Sequence, residues 1–208
     1  MGKVNETSAD GPSGPQVSRG LAEAGSSPRA TGALLAAGGG RRYGMPKVLA
    51  EDGAWLRRGV AALREGGCEE VVVVLGAAVV EVPEPASAVV NPDWRTGMAG
   101  SLRCALRAAR RGPTEQLIVH LVDIPDVTAE VVRRVRRAAG VDGVARAAYD
   151  GVPGHPVAFG RRHWDALEAT LTGDEGGRRF LAGREDVILV PCGDIAGGGD
   201  HDVPSAGG

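Results

Sequence analysis

The chain has 208 residues, a net charge of -2, 43% hydrophobic side chains and only 3% aromatic ones. That length suits one domain with a real core, which must be built from Val, Leu, Ile and Ala because aromatics are scarce. The slight acidic balance argues against a general nucleic-acid binder, and three scattered cysteines without a CxxC pair argue against a disulfide scaffold or a zinc site.

Residues 1–30 are rich in Ser, Gly, Pro and Ala, and their three basic and three acidic side chains cancel. They predict a disordered tail ahead of a domain over 31–208. No apolar stretch reaches signal-peptide or transmembrane length. A cytoplasmic protein without a membrane partner is expected.

The first predicted strand, 33–37, feeds into the most informative segment, Gly38-Gly39-Gly40-Arg41-Arg42-Tyr43-Gly44-Met45-Pro46-Lys47. Glycines let backbone N–H groups approach a ligand closely. Successive N–H groups form a nest for anionic oxygens, to which Arg41, Arg42 and Lys47 add positive charge. A triphosphate cradle has this composition. It is not a P-loop, because Met45 and Pro46 stand where Lys and Ser/Thr are required after Gly39 and Gly44. Nor is it the dinucleotide fingerprint, because Gly44 lies one residue too far from Gly38 and Gly40. Pro46 disfavours helix at Met45, so the loop is expected to stay extended up to Lys47.

A helix follows over 55–65, then strands over 71–75 and 88–90, a helix over 98–111 and a very apolar strand over 117–122. Asp123 ends that strand and emerges at the same sheet edge as the glycine loop, where a carboxylate can hold Mg²⁺. The alternative is a helix cap, a role Asp126 fits better. His120 is read as a satisfied core residue. In the helix predicted for 128–139, Val131, Val132 and Val135 face inward, while Arg133, Arg134, Arg136 and Arg137 form a solvated face. Strands over 144–148, 157–159 and 187–190 and helical segments over 161–171 and 176–182 complete the pattern. Such alternation predicts a three-layer α/β domain with a mostly parallel sheet, whose ligands bind at the carboxyl ends of strands.

Six blocks in order resemble the nucleotidyltransferases with a Rossmann-like, glycosyltransferase-A-type domain. The likeness is closest to the molybdenum cofactor cytidylyltransferases of the MobA-like group. The blocks are Leu35 to Lys47, Asn91-Pro92-Asp93-Trp94 through Gly97-Met98 to Ser101-Leu102, Val122-Asp123-x-Pro125, Gly154-His155-Pro156-Val157, Gly173-Asp174 through Arg178, and Asp200-x-Asp202-x-Pro204. They span residues 33–204.

The resemblance implies that Leu35, Ala36, Ala37 and the backbone of Gly38, Gly39 and Gly40 bind the nucleotide. Arg42 and Lys47 would hold its phosphates, and Gly97, Met98 and Ser101 would lie along base and ribose. Asp123 and Asp202 would ligate Mg²⁺, with Arg42, Lys47 and Asp123 as the catalytic set. His155, Asp174 and Arg178 would face the acceptor, although His155 also suits a turn and Asp174 with Arg178 also suits an ion pair. The implied reaction joins a nucleoside triphosphate, CTP being favoured by Ala37, to a phosphorylated pterin cofactor. A molybdoenzyme or its maturation factor would be the protein partner. Two other readings stay open: a related transferase using GTP or another nucleotide with a different phosphorylated acceptor, and a non-catalytic chaperone that carries the pterin. Val203, standing where the family has Thr, and Ile124 after the metal aspartate depart from its pattern.

Overall fold

The computed structural model describes residues 28–200, so residues 1–27 of the tail expected over 1–30 and the terminal Asp202 lie outside the described residues. The sheet begins at Ala30, one residue ahead of the boundary read from composition. The two residues before it are tied in place. The Arg29 N–H donates to the Glu115 carboxylate at 3.0 Å, and the Pro28 carbonyl accepts from Arg136 at 2.8 Å.

The strands are β1 (Ala30–Ala36), β2 (Glu70–Leu75), β3 (Ser87–Val90), β4 (Gln116–Leu121), β5 (Val144–Tyr149), β6 (Val152–Gly160) and β7 (Val187–Pro191). They form one sheet in the order β3-β2-β1-β4-β6-β5-β7. All pairings are parallel except those of β6, which runs against both β4 and β5. Every residue of β1 is buried, as expected for a central parallel strand covered on both faces.

Helices α1 (Ala50–Glu65) and α3 (Ala129–Ala139) cover one face of the sheet. Their Trp55, Leu56, Val131 and Val135 pack with Leu34, Ala36 and Val73. The other face is covered by α2 (Met98–Ala109), α4 (Trp164–Thr170) and α5 (Arg178–Leu181), whose Leu102, Leu106, Leu167 and Phe180 meet Ala33, Leu35 and Val72. Period-two alternation along each buried strand supplies both cores from alternate residues of the same strands. No helix among the described residues is long and apolar enough to cross a membrane.

Several local expectations change. The regular part of α1 starts only after Glu51, Asp52 and Gly53, which hold φ of 49°, 52° and 77°. The short strand expected over 157–159 is nine residues long, because Asp150 and Gly151, with φ of 49° and 79°, turn β5 tightly into β6. An Asp-Gly pair between strands is the sequence signal for such a hairpin.

Arg136 does not face water. It is 9% exposed and donates to the carbonyls of Gly66 and Pro28. Positions 132, 135, 136 and 139 form an i, i+3, i+4, i+7 stripe, so helix geometry turns Arg136 inward despite its charge. Asp126 is not the cap of α3, since Thr128 is the N-cap residue and makes no side-chain capping bond. His120 is fully buried, yet neither ring nitrogen has a hydrogen-bond partner. Burial, reinforced by neighbouring His155, pushes its pKa down to about 3.

Candidate functional site

Strand order reverses beside β1. The chain moves from β1 outward through β2 to β3, then returns to place β4 on the other side. Loops leaving the carboxyl ends of β1 and β4 therefore diverge and leave a crevice between them. A cavity of about 470 Å³ opens at this point, a size suited to a nucleotide-scale ligand.

Twelve of the residues singled out in the sequence line it: Leu35, Ala37, Gly38, Gly39, Gly40, Arg42 and Lys47 around the first loop, Gly97, Met98 and Ser101 at the start of α2, and Asp123 and Asp174. Ala36 is not among them, because alternation along β1 turns it into the core beneath α1. His155 and Arg178 also stand outside the lining. Arg41, already counted among the cations of the cradle, lines the cavity too, and Tyr43, Trp94, Arg95, Leu121 and Val122, which were not assigned to the site from sequence, complete the wall. Trp94 and Arg95 sit inside the second block, so an aromatic–arginine pair just ahead of the helix start was the available signal.

The glycine loop owes its shape to two positions. Gly40 has φ of +61°, and a Cβ there would lie 1.7 Å from the Met45 carbonyl oxygen. The Gly44 N–H closes the loop on the Gly40 carbonyl at 2.8 Å. Gly38 differs: no atom lies within 4 Å of the place its Cβ would occupy. Open space therefore surrounds that position, and packing gives no reason for a glycine there. Tyr43 ties the loop to α1 through Trp55, with ring centroids 5.3 Å apart. Pro46 then leads into the short helical turn Lys47–Leu49, which brings the lysine back under the loop.

Lys47 Nζ donates to Asp123 Oδ2 at 3.0 Å, with the two side chains 11% and 25% exposed. Asp123 is held by its neighbours. Val122 and Ile124 are buried in the core, and the Val122 N–H donates to the Leu35 carbonyl at 3.2 Å. The strand-end carboxylate thus projects from an anchored turn into the cavity.

On the opposite wall, buried Asn91 donates to Ser101 Oγ at 3.1 Å and accepts from the Asp93 N–H at 3.1 Å. This fixes the start of α2, whose unpaired N–H groups favour anions. Gly97 precedes that helix at φ of 113°, and a Cβ there would lie 2.4 Å from the Gly173 backbone and 2.6 Å from Asp174 Oδ1. Asp174 therefore lies beside Gly97 at the cavity. No ion pair joins it to Arg178 among the described residues.

Four cations, Arg41, Arg42, Lys47 and Arg95, face two carboxylates, Asp123 and Asp174, across the cavity. Such a surplus favours a polyanionic ligand. Arg95 is held with its guanidinium 4.5 Å from the centroid of the Trp94 ring. His155, outside the lining, has Nδ1 3.4 Å from the Val119 carbonyl, and its own carbonyl accepts from the Tyr149 hydroxyl at 2.7 Å. Burial lowers its pKa to about 4, so its ring is neutral at pH 7.

No group of three or more His, Cys, Asp or Glu side chains able to hold a metal occurs among the described residues. One strand-end carboxylate still fits a hard divalent ion that takes its remaining ligands from substrate phosphates and water. It does not fit an ion held by protein groups alone.

The family model of the MobA-like NTP transferase domain matches residues 32–187. Nicotine blue oxidoreductase of Paenarthrobacter nicotinovorans is 35% identical over 192 residues, covering 85% of this chain and 93% of that protein. Among solved structures, Rv0371c of Mycobacterium tuberculosis superposes with a TM-score of 0.67 at 28% identity, covering 79% of this chain and 88% of that one. The complex of Rv0371c with manganese gives a TM-score of 0.64 at 26% identity, covering 85% and 91%.

Proposed function

Because the chain belongs to the MobA-like NTP transferase family, we propose that it transfers CMP from CTP to the terminal phosphate of a molybdopterin-type cofactor, in the cytoplasm, releasing pyrophosphate. The observation that carries this reading is the Lys47–Asp123 contact at 3.0 Å within a cavity rich in cations. It joins a phosphate-type loop on one strand to an acidic strand end on the next.

In this reading an acceptor phosphate oxygen attacks the α-phosphorus, and the bond to the bridging oxygen of pyrophosphate breaks. The Gly38, Gly39 and Gly40 N–H groups cradle the triphosphate. Arg42 and Lys47 offset the charge that gathers on the departing pyrophosphate. Lys47 is held in place by Asp123, so its ammonium needs no reorganisation as the bond breaks. Gly97, Met98 and Ser101 offer a close wall for ribose and base, and alignment of the two substrates supplies much of the rate. Asp123, together with Asp202, would hold Mg²⁺, which when bound polarises phosphate oxygens.

Pyrophosphate release, measured with each of the four ribonucleoside triphosphates plus molybdopterin and Mg²⁺, tests the proposal. Release with CTP supports it, and release only with GTP moves the base specificity. No release with any triphosphate, alongside tight pterin binding, replaces the enzyme with a carrier. Asp123→Asn is expected to abolish the metal-dependent reaction while keeping the fold. A second reading rests on the 35% identity to nicotine blue oxidoreductase: turnover of nicotine blue with a redox cofactor, and no pyrophosphate release, would favour it.

A further inference from the structure

Two glycines beside the cavity have no conformational need to be glycine. Gly39 and Gly76 both lie outside the left-handed φ region, yet neither has room for a side chain. A Cβ on Gly39 would lie 3.1 Å from Cζ3 and 3.3 Å from Cη2 of Trp94, closer than carbon atoms pack at their optimum separation. A Cβ on Gly76 would lie 2.6 Å from the Trp94 Cβ and 2.8 Å from the Ala37 Cβ. Trp94 therefore stands with its Cβ over the exit of β2 and its outer ring carbons against the middle of the glycine loop.

Trp94 is itself firmly placed. It opens the short helical turn Trp94–Thr96, where the Thr96 N–H and hydroxyl donate to the Asp93 carbonyl at 2.9 and 2.8 Å. The Gly97 N–H donates to the Trp94 carbonyl at 3.3 Å, and the Asn91 N–H ties the segment to β2 through the Leu75 carbonyl at 2.8 Å. The Arg95 guanidinium, 4.5 Å from the ring centroid, attracts the indole π-system. The glycine triplet needs such a support, because glycine has more backbone freedom than any other residue. Its ends are tied by the bond from the Ala77 N–H to the Ala37 carbonyl at 3.0 Å and by the bond from Gly44 to Gly40. Between those ties, Gly39 lies against Trp94. Backbone donors stabilise developing charge without reorganisation only when they are already aimed.

We propose that Trp94 is a positioning residue for the phosphate loop: its indole sets the place of Gly39, so that the triplet's N–H groups face the triphosphate. It acts through the loop on the phosphates, and not as a platform for the base. This rests on the nucleotidyl-transfer reading of the cavity. Trp94→Phe removes the ring carbons that reach Gly39, and Gly39→Ala pushes the loop off the indole. Each alone should mis-set the loop. Together they should restore it, because the new methyl group fills the space the shorter ring leaves.

Calorimetric titration of tripolyphosphate, and separately of an α,β-methylene analogue of CTP, into the full chain with Mg²⁺ tests this. Trp94→Phe and Gly39→Ala should each weaken both ligands by about tenfold, within the range of couplings between residues in contact. The double variant should regain most of that loss. Losses that simply multiply in the double variant overturn the proposal. A loss confined to the CTP analogue also overturns it and makes the indole a base platform. Lower melting temperatures with unaltered affinities reduce Trp94 to a packing residue and overturn it as well. Should the wild type bind tripolyphosphate but not the CTP analogue, the nucleotidyl-transfer reading fails alone, and the tripolyphosphate losses decide the role of Trp94. Binding of neither ligand by the wild type overturns both.

Discussion

Gly38 and Gly40 lie two residues apart in one loop, yet alanine at each should fail in opposite ways. At Gly40 the backbone is left-handed and the new Cβ would lie 1.7 Å from the Met45 carbonyl oxygen. A left-handed L-residue costs about 1–2 kcal/mol. Relieving the clash must also break the 2.8 Å bond from Gly44 to Gly40, worth about 0.5–1.5 kcal/mol. Gly40→Ala should therefore lose about 1.5–3.5 kcal/mol of stability, summing those two contributions. Gly38→Ala meets no atom within 4 Å, so the fold should keep its stability or gain a few tenths of a kcal/mol from a stiffer unfolded chain. Its methyl group would instead occupy the cradle and displace a phosphate oxygen from a backbone N–H. Losing one charge-assisted bond of about 1.5–3 kcal/mol predicts nucleotide binding weaker by roughly 10- to 100-fold. Urea unfolding and calorimetric titration of a CTP analogue on both variants give the readings. Native nucleotide affinity in Gly38→Ala, or native stability in Gly40→Ala, would refute this account of the loop.

Gly97→Ala should cost about 1–3 kcal/mol, because φ of 113° with ψ of -177° is a region essentially reserved for glycine. It should also weaken nucleotide binding by displacing the start of α2; a thermal melt with a parallel titration checks both. His120 gives a pH dependence. Its folded pKa of about 3 lies below the ordinary 6.5, so the unfolded chain binds the proton more readily. The stability it supports is complete above pH 6.5 and falls on acidification toward pH 3, by at most about 1.4 kcal/mol per pH unit. Urea midpoints measured between pH 7 and pH 5 should fall less steeply for His120→Leu than for the wild type.

The elements nearest the cavity were legible because their signals are local. A short apolar run ending in three glycines announces a strand and a tight anionic loop. An aspartate directly after the most apolar strand announces a carboxylate at the sheet edge. Arg136 was misread because its charge was weighed above its helical position, although the stripe through 132, 135 and 139 already contained it. His120 was expected to find a partner, and the enclosing core gives it none. Trp94 and Arg95 escaped assignment because lining a cavity depends on which way a short turn faces.

By itself the sequence determined that β1 and β4 are buried parallel strands and that Gly38 to Lys47 and Asp123 lie at their carboxyl ends. Hydrophobic run length and turn chemistry act over a few residues, so they can be read without the fold. Only the tertiary structure decided that Lys47 and Asp123 meet at 3.0 Å and that Asp174 lies beside Gly97. Those contacts join residues dozens of positions apart, and strand order, not local preference, determines which loops become neighbours.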